Sequence, residues 1–447
     1  MNKNRAFLVL MVLALLLSIP AAGYAQEREP VTINFWHHWG GNRVPLMEQQ
    51  IAAFQAANPW ITVNMTLQPW EQRLETLLTS VAAGDPPHVT MLGRQDLPSF
   101  VLQNALTPLD EFMERDGITP DMFLESEWRG AQYNGQTWIL PQPTGGALNI
   151  AWYNKTMFAE AGLDPESFPD TWEELWEAAQ ALTIQTDGFL DRVGVNVATT
   201  GGETPAFIVW LNANGGDWLS EDGRTILFNS PQGLEALQFM VDFTNEINGG
   251  IEEVQSFYSQ TGEWENGPFY NNYEAIMLNG SWALFLIQDF SPDIEFGIAP
   301  LPIGPSGNPD VRGTAWGGWG YTIPRNDDLP EAELEAAWLL TKWLTTEIED
   351  EGACWFIQQQ QRPSPLSECD GYLLDGVTHP RAEEILNVML YDRWVPIAPI
   401  QPQLNEVITN MTDEAMFGVK SAEQALADGA AAAQALLDAF WAEQDAS

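Results

Sequence analysis

The sequence predicts an α/β protein of about two domains, and three observations lead there. Between Val31 and Leu92, extended apolar runs alternate with helical ones, which is the pattern of a largely parallel sheet. A proline- and glycine-rich joint, Gln142–Gly146, lies between two extended runs, and a later run, Ile294–Pro302, closes on prolines; both are candidate crossings between domains. With 447 residues and 45% hydrophobic content, the chain can fill two cores.

Taken in order, Val31–Trp36 alternates as a first strand, and His37–Gly41 is the loop at its carboxyl end. Val44–Ala57 carries Leu46, Ile51 and Phe54 at helical spacing and stops at Asn58-Pro59. Ile61–Met65 is the second strand, Trp70–Ala83 the second helix, and His88–Leu92 the third strand, followed by the polar loop Gly93–Asp96. Ligands in such sheets sit outside the carboxyl ends of the strands, where His37, Trp39, Arg94 and Asp96 fall. Gly135–Pro141 and Ala147–Tyr153 are the extended runs around the first joint. Thr171–Leu182 is an amphipathic helix with Thr171 as N-cap and Glu174 at the capping-box position. Ser230–Asn245 is another, with Pro231 at its first position.

The polar, aromatic-rich segment Phe257–Tyr273 leads into Ala275–Leu278, a short buried strand closed by the turn pair Asn279-Gly280. Trp282 then stands where the chain leaves a sheet, either as a core plug or as the floor of a ligand site. Trp316-Gly317-Gly318-Trp319-Gly320 precedes the strand Tyr321–Pro324. Glu331–Thr345 and the alanine-rich Ala422–Phe440 are the last helices read, and no internal repeat is present.

Residues 1–25 read as an export signal. Lys3 and Arg5 precede the apolar run Phe7–Ile19, Pro20 breaks it, and Gly23-Tyr24-Ala25 supplies small residues at the cut. No cysteine lies near that cut, so no lipid anchor is indicated, and no later run is long and apolar enough to span a bilayer. The protein is therefore expected to be exported, periplasmic or extracellular, and soluble. The formal charge is −44, and loss of Lys3 and Arg5 leaves about −46. Such a surface repels nucleic acid and anionic lipid. Cys354 and Cys369 are expected to form a disulfide across a loop of about 15 residues, worth about 3 kcal/mol by the chain-entropy model. Two buried free thiols are the alternative. His37 and His38, adjacent on extended chain, point to opposite sides and argue against a shared metal. No metal and no cofactor is expected. GxSxG, HExxH, phosphate-loop and GxGxxG patterns are absent, so no catalytic residue is assigned.

Several stretches together resemble the extracellular solute-binding proteins of ABC importers, in particular their sugar-binding, maltose-binding-protein-like branch. They are NFWHHWGG, LMEQQIAAFQAANPWI, GDPPHV, AWYNKTMFAEAGLDPESFPDTWEELWEAA, GGDWLSEDGRTILFNSP, AIMLNGSW, FGIAPLPIGPSG and GGWGYTIP, in family order over nearly the whole mature chain. The resemblance implies a two-lobed periplasmic-binding-protein fold of type II with a hinge of several strands and a ligand cleft between the lobes. By analogy, lobe one holds 26–142 with 303–362, and lobe two 143–302 with 363–447. It also implies a monomer that feeds a membrane permease and performs no chemistry on its ligand.

A sugar presents C–H faces that stack on indole rings and hydroxyls that need planar hydrogen-bonding groups. Trp282 matches the family's NGxW tryptophan and is the first candidate platform, with Trp36, Trp39 and Trp316 behind it. Gln95 and Asp96 align with a polar pair that the family places near ligand, and Gly317 would let backbone approach ligand closely. Where the maltose-type pattern has a carboxylate in the first hinge, this chain offers Gln142 and Thr144. His37, Asn279 and Arg393 complete the candidate set. Arg94 has the alternative of pairing with Asp96, Asn279 of serving its turn, and the late-loop pair Arg393-Trp394 of a structural role in place of reaching the cleft. The same fold binding a polyamine or a sugar phosphate is the alternative function, and an exported glycoside hydrolase or lyase a more distant one.

Overall fold

The computed structural model describes residues 28–446 apart from 42, 143–148, 201–203, 263–266, 361 and 371–380. The export signal and Thr144 lie outside the described residues. Fourteen strands are described: β1 (Val31–His37), β2 (Ile61–Leu67), β3 (Val89–Gly93), β4 (Gln132–Tyr133), β5 (Gln136–Thr137), β6 (Leu140–Pro141), β7 (Ile150–Asn154), β8 (Ile184–Thr186), β9 (Phe189–Val195), β10 (Glu274–Asn279), β11 (Phe296–Ala299), β12 (Gly313–Ala315), β13 (Trp319–Thr322) and β14 (Asp392–Trp394). Ten of them form two five-stranded sheets, one in each of two lobes, and the other four pair as β4-β5 and β12-β14.

The first sheet runs β2-β1-β3-β13-β6. Alternation in β1 buries Ile33 and Phe35 and leaves Thr32 and Asn34 exposed, which pins its parallel register on β2, Val31 opposite Ile61. Central β3 is buried along its whole length and pairs parallel with β1 and antiparallel with β13. The helices Arg43–Ala57 and Glu331–Thr346 cover this sheet, the first through Met47, Ile51 and Phe54, the second through Ala336, Ala337, Leu340 and Leu344.

The second sheet runs β11-β7-β10-β9-β8. β7 and β10 are buried at every position, as expected of strands packed on both faces, and pair antiparallel with each other. The capping box holds as read from sequence. Thr171 Oγ1 accepts the Glu174 N–H at 3.2 Å, and the Glu174 carboxylate accepts the Thr171 N–H at 3.2 Å. Ser230 caps the helix Pro231–Glu246 one way only, its Oγ accepting the Gly233 N–H at 3.1 Å. Helices Gln401–Met416 and Ala422–Ala446 fold back onto this second core, burying Leu404, Ile408, Leu426 and Leu437.

Several elements differ from expectation. Residues 135–141 form two short strands, because the turn at Asn134-Gly135, both at positive φ, folds β5 back onto β4. The helix Ile251–Thr261 takes the start of the segment read as irregular, and the helix after β2 begins at Arg73. Cys354 and Cys369 are joined in a disulfide that ties the helix Ala353–Gln360 to the turn at 367–370. The first core reaches Leu366 and Cys369, beyond the expected limit at 362, while Trp316 packs in the second core.

Candidate functional site

The carboxyl ends of β1, β3 and β10 place most of the expected residues. His37 ends β1 with no exposure, its ring stacked on Phe35 at 5.9 Å. Burial lowers its pKa to about 4, against a hydrogen bond to the Trp39 backbone that raises it. His38 is lowered to about 4 for the same reason, its Nε2 donating to the Met91 carbonyl at 3.0 Å. Trp39 is also a core residue, stacked on Phe356 at 6.1 Å. Trp36 is half-buried against the first core. These four residues pack in or against the first core.

After β3 the chain makes one tight turn, Arg94–Asp96, whose three side chains are all buried. Arg94 does not cap the loop through Asp96: its guanidinium pairs with the Glu127 carboxylate and the Glu127 carbonyl. Its backbone N–H donates to the Gly318 carbonyl at 2.6 Å. Gln95 lies directly against Gly317, where φ is +66° and a Cβ would stand 2.5 Å from Gln95 Oε1. Glycine is thus needed at 317 for both its conformation and its space. Trp316 beyond it is buried and packs on Trp218 at 5.3 Å. Gln142 donates to the Ala353 carbonyl at 2.9 Å, so it fastens the first crossing to the helix Ala353–Gln360.

At the end of β10, Asn279 serves its turn, its Oδ1 accepting the Gly280 N–H at 2.8 Å. Trp282 is half-buried and its ring folds back over Gly280, where a Cβ would come within 2.0 Å of it. The Arg362 guanidinium stands 5.8 Å from the Trp282 centroid, and Arg43 stands 6.0 Å from Phe285. Both are cation–π contacts between the lobes. Among the described residues, Ser281 Oγ and Trp316 Nε1 are buried without a hydrogen-bond partner.

Elsewhere between the lobes lies an open cleft of about 770 Å³. Lobe one contributes Leu97, Arg129 and Tyr133, and lobe two Leu211, Asp217 and Trp218. Arg393, Trp394, Pro396 and Pro399 also line it, as does Trp441 of the last helix. Trp394 lies flat on Gly130, where a Cβ would meet its ring at 2.9 Å. Burial pushes the Tyr133 hydroxyl up, and the Arg224 charge opposite pulls it down. Arg224 is itself stacked over Trp441 at 4.2 Å and paired with Asp445 at 3.0 Å.

Of the residues expected from sequence, Arg393 lines this cleft, and it is heavily engaged. It bonds Asn212 at 2.9 Å, the Gly216 carbonyl at 2.9 Å and Asp217 at 3.0 Å. Tyr133 and Trp441 were not found by sequence reasoning, because nothing in their neighbours distinguishes them from core aromatics; Trp394, read with Arg393 in the late loop, does line the cleft. Among the described residues, no group of three or more His, Cys, Asp or Glu could hold a metal ion.

Similarity to known proteins agrees with this architecture. The chain is 25% identical over 415 residues to a binding protein of Brucella abortus, covering 88% of this chain and 90% of that one. It is 24% identical over 310 residues to an arabinooligosaccharide-binding protein of Halalkalibacterium halodurans, covering 66% and 64%. The mannotriose-bound structure of CpMnBP1 superposes with a TM-score of 0.75 at 22% identity, over 90% of this chain and 100% of that one. A model of the bacterial extracellular solute-binding protein family matches residues 40–351. The two lobes, the crossing strands and the cleft between them are those of a bacterial extracellular solute-binding protein, and the chain belongs to that family.

Proposed function

We propose that this protein binds a neutral sugar between its lobes and, as an exported monomer, delivers it to an ABC transporter permease by closing on it. The observation that carries the reading is the 770 Å³ cleft, walled by both lobes and by aromatic rings, in which every lining arginine is already paired. Arg94 is matched by Glu127, Arg129 by Glu125 at 2.8 Å and Arg393 by Asp217. A phosphate ester would need spare cations, and none of these three is spare. A sugar asks instead for rings and for hydrogen-bonding groups of no net charge.

Closure follows from differential affinity. A ligand touching both lobes stabilises the closed arrangement, and the closed pair of lobes is what the permease reads. Arg393 lines this cleft, and Trp282, Gln95, Asp96 and Gly317, outside its lining, are the residues proposed to meet ligand in the closed arrangement. The proposed division into lobes is 26–142 with 303–362 against 143–302 with 363–447, with Leu366 and Cys369 packed on the first core and Trp316 on the second. The relatives named for arabinooligosaccharide and mannotriose support a carbohydrate.

A thermal-shift panel tests the reading, because a ligand that binds the folded state alone raises the melting temperature. Sugars should raise it, while polyamines and glycerol phosphates should not. A shift with spermidine or glycerol phosphate alone would overturn the reading. Trp282→Ala should weaken sugar binding at least about tenfold, or about 1.4 kcal/mol, without unfolding the protein. An unchanged Kd by calorimetry removes Trp282 from the site. Purified protein should release no reducing ends from the oligosaccharides it binds.

A further inference from the structure

We infer that the strap between Cys354 and Cys369 is a redox-controlled latch between the lobes. With the disulfide closed, the strap holds Arg362 on the ring of Trp282; with the disulfide open, the lobes part more readily. The inference rests on the closing of the lobes and not on the identity of the solute. Position in the chain comes first. Arg362 lies midway along the loop that the bond closes, across a sequence separation of 15. Its guanidinium stands 5.8 Å from the Trp282 centroid, and the residue is only 3% exposed. A cation withdrawn from water over an indole face binds that face more strongly than one at the surface.

The strap's fastenings come second. At its start, Phe356 stacks on Trp39 at 6.1 Å, and the Ala353 carbonyl accepts Gln142 of the first crossing at 2.9 Å. At its end, the Leu124 N–H donates to the Pro365 carbonyl at 2.8 Å, and the Ser367 hydroxyl to the Met122 carbonyl at 2.9 Å. All of these partners belong to lobe one. Trp282 belongs to the other lobe, where it precedes the helix Ala283–Phe290 and its ring rests against Gly280. A bond that closes a loop of this size removes most of the strap's conformations, so Arg362 meets Trp282 already ordered. The contacts to Met122 and Leu124 keep the reduced strap on lobe one, and opening the bond frees Arg362 without unfolding the protein.

The third argument is access. Among the described residues, Cys369 lines a groove of about 660 Å³ together with Leu124, Leu386 and Met389. A dithiol entering there attacks the Cys369 sulfur as its thiolate, and Cys354 leaves and takes up a proton. The donor's second thiol then resolves the mixed disulfide. Two electrons and two protons pass to the protein, which gains two thiols while the donor becomes a disulfide. A chain expected to be exported meets reducing conditions before that step and oxidising ones after it, so the latch sets only outside the cytoplasm.

Small-angle X-ray scattering of the purified protein, without added solute and in moderate salt, tests this, because closing the lobes lowers the radius of gyration. One such contact should shift the ratio of shut to open molecules about three- to tenfold. Reduction with dithiothreitol, and separately the Cys354→Ser, Cys369→Ser double variant, should enlarge the radius. Arg362→Met, which keeps the stem and removes the charge, should enlarge it to the same extent, and reduction should then add nothing. Its melting temperature should still fall on reduction as the parent's does, which separates the latch from plain stability. Arg362→Lys should retain part of the closure. Arg43→Met removes the other contact, to Phe285, and should leave the response to reduction in place. Trp282→Leu serves where Arg362→Met fails to fold, with circular dichroism as the check. A parent radius unchanged by reduction, or an Arg362→Met variant that opens on reduction as far as the parent, overturns the latch. Either result leaves the sugar reading standing, and failure of every sugar to bind leaves the latch standing.

Discussion

Gly317 shows how much of the site depends on an absent side chain. It stands at φ +66° with Gln95 Oε1 2.5 Å and the Gln95 backbone nitrogen 3.0 Å from where a Cβ would be. Gly317→Ala should therefore cost about 1–3 kcal/mol, from strained backbone and displaced Gln95 together. Urea unfolding followed by tryptophan fluorescence measures it, and a loss under about 0.5 kcal/mol would show that the joint relaxes freely. The glycines flanking Trp316 were visible in the sequence as a place of close approach, because glycine's freedom is local. The partner of Arg94 was not. Asp96 is two residues away, but the tight turn sends the guanidinium to Glu127 instead. Tyr133 and Trp441 were equally hidden, since a ring's role depends on which distant segment stands opposite.

At the level of elements, what was legible was what is decided within a few residues. The Thr171–Glu174 capping box and the Ser230-Pro231 helix start were readable because their partners are neighbours in sequence. The helix Ala206–Ala213 was not, because it is buried all round and shows no apolar stripe. One strand carries a testable charge. Glu274 opens β10 fully enclosed, and burial raises its pKa to about 8, against a Tyr258 hydroxyl bond at 2.7 Å that pulls it down. The folded protein keeps a proton that the unfolded chain gives up from about pH 4.5, so Glu274 makes stability fall as pH rises from there to about 8. Glu274→Gln should gain roughly 2–4 kcal/mol over the parent at pH 8.5 and almost nothing at pH 4. Urea unfolding across that range checks it, and a difference independent of pH would mean that Glu274 is not protonated in the fold. The helix Ala353–Gln360 carries another prediction. Opening its disulfide in a Cys354→Ser, Cys369→Ser double variant should lower stability by about 3 kcal/mol, read as a lower denaturation midpoint. An unchanged midpoint would show that packing alone holds this segment.

For the whole molecule the dominant electrostatic fact is a formal charge of −44. Self-repulsion on that scale opposes the compact state, and it is screened as the Debye length falls from about 30 Å at 0.01 M salt to about 3 Å at 1 M. The melting temperature should rise by several degrees over that range of sodium chloride, and a flat response would mean that the carboxylates are compensated locally. The two-sheet architecture itself was readable in outline from alternation of strands and helices. The open cleft was not, because it is assembled from segments near residues 94, 133, 218, 394 and 441.

The wiring of the two lobes also sets when each can be finished. β13, which joins β3 to β6, arrives only at Trp319, and the second core waits for Leu437 near the far end of the last helix. During synthesis the first core therefore cannot close before Cys369 has emerged, nor the second before Leu437. Contacts this distant in sequence make for slow, late assembly. A nascent strand that stays unfinished is also one that can still be threaded, so delayed maturation comes from the order of the strands without any separate brake.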